Sequence, residues 1–315
     1  MRVLVTGATG FLGRHLLRRL SGAYDVVGLA RNIPSESDFP HVRGDVTNPS
    51  TLAPALDGID AVIHAAGNVS HEQADASRTW DVHVKGTTSL LDAAARAGVR
   101  RVVHLSSSGT VAVSTKPEVL GEDAPSPLPI IGTWPYYRAK LFSEQIALAR
   151  SRPGFDVLCL NPSLLLGPGD LAHDSTRPVV LFLQGQLQAA PAGGVSFVDV
   201  RDVAQAAELA LTRGEPGQRY LLTGANWSWT EFYRRLSELT GLRAPMLTLP
   251  AAARRALSWI PETQRESVGR HLPISLTELE LASHYWYVDD RRARRSLGWT
   301  SRDPMETLLD TVRGV

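Results

Sequence analysis

The chain has 315 residues, 43% of them hydrophobic, enough to bury a full α/β core and still carry a smaller appended region. Its 33 basic and 32 acidic residues leave a formal charge of +1, which excludes a global field for nucleic acid or an anionic membrane. A small molecule is therefore the expected partner. The single cysteine, Cys159, lies inside the apolar run Val157–Leu160, so it reads as a small buried hydrophobe in a reducing compartment and excludes a disulfide within the chain. No basic leader with an apolar core precedes Arg2, and no apolar stretch reaches the roughly eighteen residues of a membrane span, so a cytoplasmic protein is expected.

In chain order, short β-branched runs alternate with longer helical patterns. A strand at Arg2 to Thr6 is followed by a helix from Gly10 to Leu20 and a strand from Asp25 to Ala30. A strand at Ala61 to Ala65 leads to a helix over Thr79 to Ala97, stopped by Gly98. A strand at Arg101 to Ser106 then precedes a helix over Tyr136 to Arg150 and a strand at Phe155 to Leu160. That alternation predicts an α/β fold with a doubly wound parallel sheet covered on both faces. After Asn161 the texture changes, with Gly and Pro clustered from Pro162 to Asp170. The expected division is a Rossmann domain over residues 1–160 and a smaller, mainly helical, discontinuous substrate lobe over 161–315. Strand-like runs at Val195 to Val200 and Arg219 to Thr223 are expected to complete the first domain. Ser228-Trp229-Thr230-Glu231 has the pattern of a capping box opening a helix through Leu239.

Thr6-Gly7-Ala8-Thr9-Gly10-Phe11-Leu12-Gly13 follows the first strand and opens the first helix. Glycines at 7 and 10 let the backbone turn and approach a pyrophosphate, and Gly13 lets the helix pack closely on the sheet, which makes this loop a dinucleotide site. The second strand ends Leu29-Ala30-Arg31. A carboxylate there would bind a free ribose and repel a 2′-phosphate, whereas a guanidinium binds the phosphate by paired charge-assisted bonds. NADP is accordingly preferred and NAD is the alternative, with Arg31 stacking on adenine as its other use. Asp45, with Val46 beside it, is a candidate adenine contact; its competing reading is a turn residue ahead of Asn48-Pro49.

Tyr136 and Lys140 stand four apart at the start of a helix and so share one face. A free tyrosine has a pKa of about 10, and a neighbouring ammonium favours the phenolate, so Lys140 is expected to tune Tyr136 as a general acid/base. Among the 33 basic residues the only lysines are Lys85, Lys116 and Lys140. A lysine kept at this spacing in an arginine-rich chain suggests a need for a compact point charge. Ser106, Ser107 and Ser108 end the strand from Arg101, at the edge where open α/β sheets bind ligands, and a hydroxyl there can donate to a developing oxyanion. At least one of the three is expected to serve the local backbone instead.

These residues together resemble the extended short-chain dehydrogenase/reductases, the NAD-dependent epimerase/dehydratase family. The matching segments are TGATGFLG at Thr6 to Gly13, LSSSGTV at Leu105 to Val111, YYRAK at Tyr136 to Lys140 and SFVDVRDVA at Ser196 to Ala204. VRRVVHLSSSGTV at Val99 to Val111 is similar to the dihydroflavonol reductase, 3β-hydroxysteroid dehydrogenase and hopanoid-associated branch. The resemblance implies that Tyr136 transfers the proton, that Lys140 also holds the nicotinamide ribose, and that Ser107, with Ser108 as runner-up, steadies the substrate oxygen. It implies further that Ala65-Ala66-Gly67 lines the cofactor and that Asn161-Pro162-Ser163 lies near the nicotinamide carboxamide. His83 stands where the family usually has asparagine; a buried, hydrogen-bonded structural histidine is the favoured reading and a polar partner in the active-site relay the alternative.

On the substrate side, Ser108-Gly109-Thr110 lacks the Asp-Glu pair that the resemblance to 4,6-dehydratases would require, and Leu160 to Pro168 is apolar where sugar-nucleotide enzymes tend to carry Arg and Asn. Redox on a carbonyl or secondary alcohol of a small apolar substrate is therefore favoured. A nucleotide-sugar epimerase or dehydratase is the alternative, and a nucleotide-sensing protein without catalysis the third class. Leu249 to Pro261, with Arg254, Arg255 and Trp259, and the cluster Tyr285-Trp286-Tyr287 read first as core or amphipathic helix and second as a lid. Arg291 to Arg295 reads as a solvated face with Asp289 and Asp290; binding a substrate phosphate or touching a membrane periphery is its other use. A homodimer stays open. The nine histidines show no metal-ligand spacing, so metal-free chemistry is expected.

Overall fold

The computed structural model describes residues 1–33, 36–249 and 274–315. Six strands come first: β1 (Arg2–Thr6), β2 (Asp25–Ala30), β3 (His41–Arg43), β4 (Ala61–His64), β5 (Arg101–Leu105) and β6 (Asp156–Pro162). The chain then forms β7 (Leu164–Leu166), β8 (Ala189–Ala190) and β9 (Gly194–Asp199), and β10 (Arg219–Leu222) returns to the main sheet. The seven-stranded sheet has the order β10-β6-β5-β4-β1-β2-β3, and its pairings are parallel. Building outward from β1 to β2 and β3, then restarting on the other side with β4 and β5, leaves a crevice between the carboxyl ends of β1 and β4. Open α/β sheets bind ligands at such a switch point.

The strands are apolar on both faces because helices cover both. On one face, Leu16, Leu17 and Leu20 of the helix Phe11–Leu20 meet Val203, Ala206, Ala207 and Ala210 of the helix Val200–Ala210. Burying each of those leucines contributes roughly 1.5–3 kcal/mol. On the other, Leu90, Leu91, Ala94 and Ala147 pack with Cys159, which is fully buried in keeping with its apolar neighbours. β11 (Ala225–Ser228) pairs antiparallel with β9, and β9 pairs with β7, in a separate three-stranded sheet. There Phe197, Phe232, Tyr233 and Leu308 form a further core. A last short strand, β12 (Leu247–Thr248), pairs with β8.

Several expectations shift. The region after Asn161 is mainly helical among the described residues but also contributes the short strands β7 to β12, and β6 runs to Pro162, two residues beyond the strand expected to end at Leu160. Of the two late strand-like runs, 219–222 enters the large sheet and 194–199 the smaller one. The helix expected over Thr79 to Ala97 begins at Ala76 and is interrupted: Ala76–Trp80 leads into a π-turn, Asp81–Lys85, and then Gly86–Arg96. Gly98 ends it with φ +79°, the left-handed conformation that glycine adopts without cost. At Ser228 only half of a capping box forms. The hydroxyl accepts from Glu231 N at 3.1 Å, but the Glu231 carboxylate is drawn to Arg234 and Arg235 instead. A reciprocal box forms at Ser275 and Glu278, ahead of the helix Leu276–Ala282. Of the stretch Leu249 to Pro261, the residues from 250 on, including Arg254, Arg255 and Trp259, lie outside the described residues.

The first helix is clasped from the far end of the chain. Arg14 Nη2 donates to Gly169 O at 2.5 Å and His15 Nε2 to Pro168 O at 3.0 Å. Gly167 N in turn donates to Thr311 Oγ1 at 2.8 Å, on the helix Pro304–Gly314. Gly314 lies so close to Pro168 that an added Cβ would stand 2.8 Å from its Cα. No helix among the described residues is long and apolar enough to cross a membrane.

Candidate active site

The glycine loop is built by close approach. Gly7 has φ +68°, and a Cβ there would stand 2.6 Å from Ala65 O and 2.8 Å from Ala66 Cα. A Cβ on Gly13 would stand 2.1 Å from Gly7 O, so both positions exclude any side chain. Gly10 is the N-cap of the ten-residue helix Phe11–Leu20, which has no side-chain cap and no acid in its first turn. Its open amides and dipole form a cradle for an anion, and at Gly10 an added Cβ would meet only Gly7 O, at 3.3 Å. Thr9 and Gly10 are exposed, Phe11 and Leu12 half-buried, and Thr9 O accepts from Arg14.

Thr6 faces inward. Its hydroxyl lies 2.7 Å from His64 Nδ1 and accepts from Ala66 N at 3.1 Å, while His64 Nε2 reaches Thr87 Oγ1 at 3.0 Å. This chain of bonds ties the ends of β1 and β4 to the helix behind them and sets Ala65-Ala66-Gly67 against Gly7. Burial, with the nearby Lys140 charge, pushes His64 down to about 3, so it is a neutral bridge.

The ribose end is more open. Arg31 is exposed just past β2 and has no hydrogen bond or ion pair among the described residues. Asp45 is committed to its turn, for Oδ1 accepts from Thr47 N at 2.9 Å and Thr47 Oγ1 at 2.8 Å, in line with the turn-residue reading. Val46 is buried against Gly86.

The helix Pro135–Ala149 carries Tyr136, Lys140 and Glu144 at intervals of four, on one face. Tyr136 is half-buried, with His71, His83 and Tyr137 edge-on to its ring at 5.6, 5.5 and 5.1 Å. Lys140 is 6% exposed and its Nζ donates to Leu105 O at 2.7 Å. Burial pushes the Tyr136 phenol up to about 12, the direction opposite to the expected tuning, while the Lys140 ammonium is bonded to the end of β5. Burial also pulls Lys140 down to about 8, against the opposing Glu144 charge.

The three serines divide their work. Ser106 donates to Glu144 Oε2 and is buried, Ser107 is half-buried and caps the following turn by accepting from Gly109 N at 3.2 Å, and Ser108 is 4% exposed. Asn161 also turns inward: its Nδ2 donates to Glu144 Oε2 at 2.6 Å, Thr110 Oγ1 at 3.0 Å and Ser107 O at 3.1 Å. Its side chain thus braces the serine segment. Pro162 ends β6, and the Ser163 hydroxyl is buried with no hydrogen-bond partner among the described residues. His83 is 2% exposed, sits in the π-turn, and bonds Asn68 O through Nε2 at 2.9 Å. Burial holds it at about 3, so it is a buried, bonded, neutral histidine as favoured, with its ring against Tyr136 as well. Gly67 makes room for it, since a Cβ there would stand 2.6 Å from His83 Cε1.

Beside Tyr136 stands an aromatic wall that sequence spacing could not assemble. His71 stacks on Tyr137 at 5.6 Å, Trp286 lies 4.8 Å from Tyr137, and Trp134 lies 6.0 Å from Trp286. Of the cluster Tyr285-Trp286-Tyr287, Trp286 thus reaches the site, while Tyr285 bonds Ala192 O and Tyr287 crosses Gly194. Arg291, Arg292 and Arg294 are paired with Asp289, Asp123 and Asp290, so the basic run is largely neutralised at the surface.

The family model of the NAD dependent epimerase/dehydratase family matches residues 3–222. The chain is 31% identical to sterol demethylase protein B of Methylococcus capsulatus, over 99% of this chain and 97% of that protein. It is 30% identical to a 3 beta-hydroxysteroid dehydrogenase/Delta 5-->4-isomerase of Mycobacterium tuberculosis, over 95% and 85% respectively. The solved structure of MoeE5 in complex with UDP-glucuronic acid and NAD superimposes with a TM-score of 0.77 at 26% identity, over 99% of this chain and 98% of that one. With a matching model over most of its length and relatives aligned nearly end to end, the chain belongs to the NAD-dependent epimerase/dehydratase family.

Proposed function

We propose that this protein transfers a hydride between the nicotinamide of NADP(H) and a carbonyl or secondary alcohol of a small, apolar, ring-bearing substrate. The observation that carries this reading is the cluster of half-buried His71, Tyr137 and Trp286 beside Tyr136, backed by the buried Trp134, an aromatic surface that among the described residues carries no free guanidinium for a diphosphate. The cofactor cradle fits at the switch point: Gly7 and Gly13 exclude side chains, and the uncapped helix start offers amides to a pyrophosphate. Arg31, exposed and unpaired among the described residues, supports NADP over NAD. When bound, the nicotinamide supplies or accepts the hydride.

The chain's own residues handle the proton and the oxygen. Tyr136 gives a proton from its phenol to the alkoxide that forms on reduction, and takes one back in the oxidative direction. Lys140 holds positive charge next to the site and a hydrogen-bonding ammonium for a ribose. Ser107 is the serine offered to the substrate oxygen, since Ser106 is committed to Glu144 and Ser108 is 4% exposed. Asn161 and Ser163 flank the nicotinamide side, the former through the backbone it braces. The site is read as lying between a dinucleotide domain, completed by β10, and a substrate lobe built on β7, β9 and β11. A cytoplasmic location fits the lone buried Cys159.

The test is consumption of NADPH with a panel of cyclic and aryl ketones against NAD-dependent turnover of nucleotide sugars. Turnover confined to the ketones supports this reading. Turnover confined to the sugars replaces it with an epimerase or dehydratase, and binding of cofactor without turnover of either class replaces it with a sensor.

A further inference from the structure

Beneath the serine segment lies a buried polar cluster that the reaction just proposed does not use directly. Glu144 is fully buried, and its Oε2 accepts from Ser106 Oγ, from Thr110 Oγ1 at 2.7 Å and from Asn161 Nδ2 at 2.6 Å. Its Oε1 faces Arg219 Nε at 3.1 Å, on β10. Oε2 thus gathers three donor groups, while Oε1 meets Arg219 as an ion pair and not as a hydrogen bond. The same residues hold Ser107 from below: Asn161 Nδ2 donates to Ser107 O at 3.1 Å, and the one hydroxyl hydrogen of Thr110 is shared between Ser107 O, at 2.8 Å, and Glu144. One helical turn earlier, Lys140 holds Leu105 O. Two side chains of one helix, four residues apart, therefore grip both ends of the segment 105–110.

We propose that Glu144 is a positioning residue for the reaction: with Lys140 one turn earlier it fixes the serine segment relative to Tyr136, and its negative charge, shared between Arg219 and Lys140, supports the Lys140 ammonium. This rests on the hydride-transfer reading above. The groups that face Lys140 come from every side: His64 on β4, His83 in the π-turn, His104 on β5, Cys159 on β6 and Glu144 on its own helix. The three histidines are held neutral by burial and Cys159 is pushed up as a thiol, so Glu144 is the one carboxylate among them. Removing its charge leaves the buried ammonium opposed by nothing but burial.

The experiment uses the scarcity of lysine. With lysines only at 85, 116 and 140, protein labelled with 13C at lysine Cε gives three resonances, and Lys140→Arg assigns the third. Glu144→Gln keeps the size and one acceptor oxygen, and should lower the Lys140 midpoint by about one unit, the lower end of the effect of a neighbouring opposite charge. Turnover at pH 7 should fall at least about tenfold, with cofactor affinity changed much less and the pH profile of turnover displaced with the lysine. Ser106→Ala, which deletes one donor and leaves the charge, should lower turnover without moving the midpoint, and serves if Glu144→Gln does not fold, together with Arg219→Gln, which should raise the midpoint. A midpoint unmoved in both charge variants overturns the proposal, as does a shifted midpoint with turnover within twofold of wild type. If wild type turns over no ketone, the hydride-transfer reading fails on its own and the lysine titration still decides the charge coupling.

Discussion

Three neutral histidines in the interior make the fold vulnerable to mild acid, and His64 is the place to measure it. Its ring bridges Thr6 and Thr87, is 1% exposed, and is held down to about 3 by burial and the Lys140 charge; His83 is held at about 3 as well. An unfolded histidine titrates near about 6.5, so between there and about 3 the unfolded chain binds the proton and the folded one does not. Stability is therefore intact above about pH 6.5 and falls with pH through that window, levelling near the folded midpoint. Each unit of pH below about 6.5 costs up to about 1.4 kcal/mol per histidine, so His64 alone accounts for about 2 kcal/mol by pH 5, and with His83 for about 4. Against a typical total of about 5–15 kcal/mol this is a large loss. Urea unfolding at pH 7.5, 6.5, 5.5 and 5.0 should show the fall in wild type. In His64→Gln, which keeps a donor and an acceptor for the two threonines, the fall should shrink by about 2 kcal/mol even though the variant starts less stable. An unchanged slope in His64→Gln would mean that protonation of this ring is absorbed by some relaxation, and the burial argument would fail.

Tyr136→Phe should preserve folding and cofactor binding while lowering turnover at least about a hundredfold, read by stopped-flow absorbance of the nicotinamide; near-normal turnover removes the proton-transfer role. Ser107→Ala should reduce turnover more than Ser108→Ala in the same assay, and the reverse order moves the oxygen contact to Ser108. Arg31→Ala should weaken NADP binding by roughly 1.5–3 kcal/mol and NAD binding far less, by calorimetric titration, with salt narrowing the gap. Equal losses for the two cofactors would indicate stacking on adenine, and a wild-type preference for NAD would overturn the NADP assignment.

What was legible in the sequence was whatever depends on near neighbours along the chain. The strand-to-helix setting of Gly7, Gly10 and Gly13, the four-residue step from Tyr136 to Lys140, and the apolar strands of the sheet all follow from local spacing. Glu144 continued that same step and went unread, because its meaning lies in Ser106, Asn161 and Arg219, which arrive from three different strand ends. The pattern locates the backbone of Asn161-Pro162-Ser163 at the strand end but is silent on the Asn161 amide, which turns to Glu144, Thr110 and Ser107. Spacing likewise puts Lys140 on the face of Tyr136 but does not reveal that its ammonium bonds Leu105 O or that burial pushes the phenol up. The π-turn at 81–85 is invisible to a periodic pattern, as an inserted residue leaves the apolar positions on either side individually in order.

The clasp between the first helix and the helix Pro304–Gly314 gives the molecule a load path. Thr311 props Gly167, the loop behind it carries Pro168 and Gly169, and these hold His15 and Arg14 one turn beyond the glycine cradle. Arg14 reaches back from there to Thr9 O inside the cradle itself. A push on the last helix therefore reaches the amides of the first through this short loop, as well as through Asp310 and Arg201 on the helix packed beside it, so a fusion or label that displaces residues 304–314 is expected to act on the glycine loop as a lever would, without touching it.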